Sequence, residues 1–161
     1  VSGLSIHIKI NGKATWHRNI YSKKNTGPTY VHRDDDLYDI DIELVNNTDS
    51  IISYWEMSCS WQENWIFNYK QLGLLPYEIR GVNGPVITSL NPKERKIYHT
   101  NILLTDSNST LINNELKIGF FFVRKQDYSY SNIFTPFSDV LIEKEKDQNN
   151  IIWSDSFRLN K

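Results

Sequence analysis

Hydrophobic and polar positions alternate with a period of two along most of this chain, and the longest such stretch is residues 38–61. Tyr38, Ile40, Ile42 and Leu44 alternate there with Asp39, Asp41 and Glu43. After Asn46-Asn47-Thr48-Asp49-Ser50, a second series (Ile51, Trp55, Met57, Cys59, Trp61) alternates with Ile52, Tyr54, Glu56, Ser58 and Ser60. Successive side chains of a β-strand point to opposite faces, so this pattern predicts two half-buried strands. The Asn/Asp/Ser cluster between them predicts that they fold back on each other as a central hairpin.

The same reading extends to both ends. Leu4, Ile6, Ile8 and Ile10 predict a first strand, and Asn11-Gly12, two residues that accept positive φ, predict a hairpin turn into a return arm over residues 14–21. Residues 22–36 have no periodicity and end in Asp34-Asp35-Asp36, which reads as a long connection. A turn at 62–64 and the apolar segment Trp65-Ile66-Phe67 precede a stretch broken by Gly73, Pro76, Gly81, Gly84 and Pro85, a loop with one short strand or turn at 77–82. Strands are predicted over 86–90 and 95–104, joined by Asn91-Pro92-Lys93-Glu94 as a type I turn with Pro presetting φ. Residues 106–114 are a polar loop, and 116–124 is the most apolar strand, expected mid-sheet. An aromatic-rich loop at 125–139 follows, then a turn of helix or a solvated loop near 143–150, and a closing strand at 152–159.

About eight or nine strands at this spacing, with no convincing amphipathic helix, predict an all-β fold. The expectation is one domain over residues 1–161, an antiparallel β-sandwich of immunoglobulin-like architecture, large enough to bury a core without staples. The likeness is architectural only, because a single cysteine rules out the Cys–Trp–Cys pattern of antibody domains.

Composition narrows the function classes. A net charge of −1 gives no concentrated basic surface for neutralising phosphates, so nucleic acid is not an expected partner. The longest apolar run, Phe120 to Val123, is too short to span a bilayer. One cysteine, Cys59, excludes an intrachain disulfide and a Cys-built zinc site. The first residue is Val1 rather than Met, which fits an N-terminus either trimmed or processed by removal of a signal peptide; the expected setting is secreted, periplasmic or cell-envelope. Asn46-Asn47-Thr48 and Asn108-Ser109-Thr110 match the glycosylation acceptor pattern.

Candidate chemistry is thin. Cys59 shares a predicted strand face with Trp55, Met57 and Trp61, which favours burial over nucleophilic or copper-binding roles. His7, His17, His32 and His99 have no ligand spacing. Asp34, Asp35, Asp36, Asp39, Asp41 and Glu43 could furnish the oxygens a calcium ion needs, but the strand acids read first as a solvated face. There is no Gly-x-Ser-x-Gly elbow, no phosphate-cradling glycine loop, and no spacing that selects two carboxylates. Catalysis is therefore the weaker expectation, and no cofactor is expected. A hydrolase or metal protein whose site is assembled from distant loops is the last reading.

Aromatic residues in polar company are the better signal. Trp61 and Trp65 flank a turn with Tyr69 just beyond; Tyr128, Tyr130 and Phe134 share a loop with Asn132. These seven are the candidate ligand-binding residues. Rigid aromatics beside Ser and Asn suit a protein-binding loop, which is the leading reading: a non-catalytic interaction module. The alternative is a carbohydrate-binding module, in which rings stack on sugars. Against both stands the possibility that the rings cap the ends of the core.

Overall fold

A computed structural model describes residues 3–13, 37–75, 83–104, 114–129, 136–146 and 150–159 of the 161-residue chain. They are mostly β-structure, in three antiparallel sheets with one short helix. The strands are β1 (Leu4–Lys13), β2 (Leu37–Asn46), β3 (Ile52–Met57), β4 (Trp65–Phe67), β5 (Leu72–Leu74), β6 (Pro85–Leu90), β7 (Arg95–Leu104), β8 (Ile118–Phe121), β9 (Val123–Arg124) and β10 (Ile151–Trp153). The four-stranded sheet runs β1-β2-β7-β5, and the two three-stranded sheets run β10-β8-β4 and β6-β3-β9.

The central hairpin does not form. β2 pairs along its length with β1 and β7, and β3 pairs with β6 and β9, so the two arms belong to different sheets. The connection between them is fixed by Asn46, which is 0% exposed. Its Nδ2 donates to the carbonyls of Ser50 (2.8 Å), Leu90 (3.1 Å) and Asn91 (3.0 Å). Its Oδ1 accepts from the Thr48 N–H at 2.9 Å and the Thr48 Oγ1 at 2.8 Å. This one side chain staples the β2–β3 connection to the β6–β7 connection, and both then cross between the same two sheets. The Asn46 amide is thus spent inside the fold, and that acceptor pattern is closed to glycosylation in the folded protein. Asn108 lies outside the described residues.

Other expectations shift for related reasons. Asn11-Gly12 sits within β1 as a bulge, with Gly12 at φ 131° opposite Asp39. The return arm at 14–21, the connection at 22–36 and the short strand or turn at 77–82 lie outside the described residues. In the turn at 91–94 the Glu94 N–H donates to the Asn91 carbonyl at 3.1 Å, but Lys93 has φ 62°, which a type II turn requires and a type I turn does not. The apolar strand at 116–124 divides at Phe122: β8 is the middle strand of its sheet, as expected, whereas β9 joins β3. The closing strand is only β10, with a bridge from Phe157 to Leu116 beyond it.

The turn of helix or solvated loop expected near 143–150 is in part the end of a longer helix, α1 (Phe137–Lys146), which begins within the stretch read as an aromatic loop. Phe137 and Leu141, four apart, are buried, with half-buried Val140 beside them. Asp139 in the first turn and Lys144 and Lys146 in the last match the helix dipole. Two cores result. The larger draws Tyr38, Ile40, Ile42 and Leu44 of β2 against Tyr54, Leu90, Tyr98, Ile118 and Phe120, so all three sheets contribute to it. The smaller packs α1 through Phe137 and Leu141 onto Trp55, Phe121, Val123 and Ile151. β3 lies between them, and Tyr54, Trp55 and Glu56 are all buried. Asn64, fully buried, donates its Nδ2 to the carbonyls of Trp55 (3.0 Å) and Phe121 (3.3 Å), joining the two small sheets where they part.

Candidate functional site

The sequence-predicted aromatics separate. Trp65 on β4 is 7% exposed, its ring 4.7 Å from that of Phe120 and 5.4 Å from that of Tyr98. Trp61 begins a 3-10 turn (Trp61–Asn64) and is half-buried on Tyr98, centroids 4.6 Å apart. Tyr69 is half-buried against the larger core. Tyr128 is wedged edge-on between Trp55 and Phe137, 5.2 Å from each. Tyr130, Asn132 and Phe134 lie outside the described residues. Trp65 and Tyr69 share a cleft; Trp61 and Tyr128 do not line it.

That cleft has a volume of about 650 Å³ and opens beside β4 and β5. Trp65, Ile66 and Phe67 of β4 form one wall, Leu72, Gly73 and Leu74 of β5 the other. Trp153 of β10 and Glu145 of α1 close it, and Asn68, Tyr69 and Lys70 line it from the connection. Trp153 reaches it across Gly119, since Trp153 and Ile66 both stand opposite that glycine on its two sides. A Cβ at Gly119 would lie 3.0 Å from the Trp153 ring and 2.5 Å from Ile151 Cγ2, so glycine is what lets the indole cross. Asn68 is fixed by its neighbours: its N–H donates to the Lys117 carbonyl (3.1 Å), and its Oδ1 accepts from the Lys117 N–H (2.8 Å). Lys70 and Glu145 have no ion-pair partner among the described residues, whereas Lys144 and Lys146 are paired with Asp127 (2.7 Å) and Glu143 (3.3 Å).

A second constellation lies inside the molecule. Glu56 on β3 is 3% exposed and accepts hydrogen bonds from Thr88 Oγ1 of β6, Lys96 Nζ of β7 and Tyr98 Oη of β7, the last at 2.8 Å. Tyr54 and Tyr98 share a hydroxyl–hydroxyl bond at 2.9 Å. Burial pushes the Tyr98 hydroxyl far above the ordinary tyrosine value, and the neighbouring Tyr54 and Glu56 push it further. Burial and then Glu56 raise Tyr54 in the same direction. Carboxylate, ammonium and three hydroxyls thus satisfy one another and clamp β3 and β6 to β7.

The outer face of the four-stranded sheet carries the strand acids with partners across the ladder. Asp41 bonds His99 Nδ1 at 2.6 Å, and Glu43 lies 3.9 Å from Arg95. Burial raises Asp41, but bonds to His99 and Asn11 and the charges of His99 and Lys9 outweigh it, leaving its pKa below the ordinary 3.8. Among the described residues no three His, Cys, Asp or Glu side chains form a group that could hold a metal ion. Asp34, Asp35 and Asp36 lie outside them. Cys59 is half-buried and lies beyond the end of β3, its N–H donating to Asn83 Oδ1 at 3.0 Å. No helix among the described residues is long and apolar enough to cross a membrane.

Sequence reasoning missed Trp153, Asn68, Lys70 and Glu145 as cleft residues and Glu56 as a buried one. The cleft residues meet through pairings that span half the chain, and nothing local announces them. Glu56 did leave a signal: it shares a strand face with the large apolar side chains of Ile52 and Tyr54. No family model matches this chain, and no curated protein is detectably similar to it.

Proposed function

We propose that this chain is a non-catalytic, protein-binding module of β-sandwich build with immunoglobulin-like architecture, working in a secreted or cell-envelope setting. The observation that carries the binding role is the cleft between β4 and β5. Each is the last strand of its sheet among the described residues, and the cleft they border holds half-buried Tyr69 and Trp153 with Lys70 and Glu145, which have no ion-pair partner among those residues. The sandwich description draws its support from the larger core, to which the four-stranded sheet and both smaller sheets contribute.

A photo-crosslinking residue in place of Tyr69, in the cells that make the protein, tests the binding role. The expected result is a discrete protein adduct from that position and none from the same group at exposed Lys9. Equal labelling at both, or none at either, overturns the reading. Cell fractionation tests the setting, and recovery in the cytosol refutes that part alone. The half-buried rings of Tyr69 and Trp153 in the cleft favour a glycan as the second reading, because a sugar stacks on an aromatic face. A shift of tryptophan fluorescence on a glycan panel, lost in Trp153→Ala, would move the assignment there.

A further inference from the structure

The main-chain groups at the cleft say more about the partner, given the protein-binding reading above. In an antiparallel ladder, alternate residues bond to the neighbouring strand and the rest turn their N–H and C=O groups the other way. The Asn68 N–H donates to the Lys117 carbonyl at 3.1 Å, one step past the Phe67–Ile118 pair. Ile66 therefore bonds toward β8, while Trp65 and Phe67 turn away from it. On the other wall the Leu75 N–H donates to the Asn101 carbonyl at 2.9 Å, one step past Leu74–Ile102. Gly73 therefore bonds toward β7, while Leu72 and Leu74 turn away.

All four outward-turned residues line the cleft. Two of their N–H groups are satisfied locally: Trp65 donates to the Gln62 carbonyl and Leu72 to the Tyr69 carbonyl at 3.2 Å. The N–H groups of Phe67 and Leu74, and the outward carbonyls, have no main-chain partner among the described residues. Apart from its chain neighbours, no heavy atom of the described residues lies within 4 Å of the place a Cβ would take on Gly73, so the β5 wall has room for an incoming side chain.

We infer that the cleft takes an extended peptide strand of a partner protein, added along the β4 edge with β5 as the facing wall. An extended chain presents donors and acceptors at the spacing of a strand edge, whereas a helix has spent its own internally. Charge fixes the polarity of the occupant. Lys70 and Glu145 line the cleft and lack ion-pair partners among the described residues, so the peptide carries an acidic residue near Lys70 and a basic one near Glu145.

The test selects linear peptides from a random library on the purified domain. Selected peptides are then methylated at one backbone nitrogen at a time. Expected are alternating apolar residues and a period-two methylation profile, each sensitive position losing roughly tenfold in Kd, about 1.4 kcal/mol. Lys70→Glu should weaken peptides acidic at that end and rescue those with lysine there. Peptides that bind as helices, or that tolerate every methyl group, overturn strand addition and leave protein binding standing. If no peptide binds in a way that Lys70→Glu alters, and photo-crosslinking at Tyr69 also fails, both readings fall together.

Discussion

Truncating Glu56 to alanine should destabilise the fold by about 3 kcal/mol. The side chain is 3% exposed and gathers three donors, so its removal acts through three effects of different size. Tyr98, buried in the larger core, loses its carboxylate acceptor, and a buried hydroxyl left short costs about 1–3 kcal/mol. Deleting the one buried methylene beyond Cβ costs roughly 0.8 kcal/mol before any cavity term. Lys96 adds less, because its side chain is 34% exposed and its ammonium regains water.

Urea unfolding followed by tryptophan fluorescence and far-UV circular dichroism should show a midpoint lowered by roughly 1–2 M at unchanged slope. Glu56→Gln keeps the shape and one acceptor oxygen and should cost less than the truncation. Lys96→Met leaves a buried carboxylate with only hydroxyl partners. The double variant Glu56→Gln/Lys96→Met should then be less destabilised than the sum of its parts. A loss below about 1 kcal/mol for Glu56→Ala, or single effects that add within about 0.5 kcal/mol, would refute the clamp.

The clamp also predicts alkaline behaviour. Tyr54 and Tyr98 have raised folded-state pKa values, so their contribution to stability is complete below the ordinary 10.0 and is lost as pH rises above it. An ultraviolet titration should find these two phenols ionising only with unfolding; two fully reversible titrations in the folded protein would contradict this. Asp41 works in the opposite sense: with its folded pKa held below 3.8, it stabilises above that value and loses the contribution as pH falls through the lower folded value. Asp41→Asn should flatten the acid limb of stability against pH, and an unchanged limb counts against the His99 pair. Asn46→Ala, which strands three carbonyls, should cost about 2–4 kcal/mol by the same urea assay, and a cost within about 0.5 kcal/mol would show that the staple is dispensable. Gly119→Ala should cost about 1–3 kcal/mol and alter tryptophan emission by displacing Trp153, whereas native stability and emission would mean that the indole does not depend on the close approach.

The sequence by itself determined where chain segments are extended and which side chains lie inside several of them. In β2, Tyr38, Ile40, Ile42 and Leu44 are buried as their alternation requires, and in β7 Tyr98 and Ile102 are buried while Ile97 and His99 are exposed. Alternation is local, and one half-buried face suffices to write it. Tertiary structure decided the neighbours. A polar five-residue connection marks a reversal but not a pairing, and the hydrogen bonds of Asn46 to residues 90 and 91 sent β3 away from β2.

Burial on both faces is equally invisible to a two-face pattern. Tyr54 packs in the larger core and Trp55 in the smaller, which exists only after α1 docks and β8 gives way to β9, and Glu56 is buried beside them. The start of α1 was not legible because its buried stripe is little more than Phe137 and Leu141, too narrow to stand out beside a loop full of aromatics. Trp65 and Tyr69 were legible as candidates because aromatics stand out in polar company. Their cleft was not, because Trp153, Gly119, Ile66 and Glu145 converge only through long-range strand pairing and the docking of a helix.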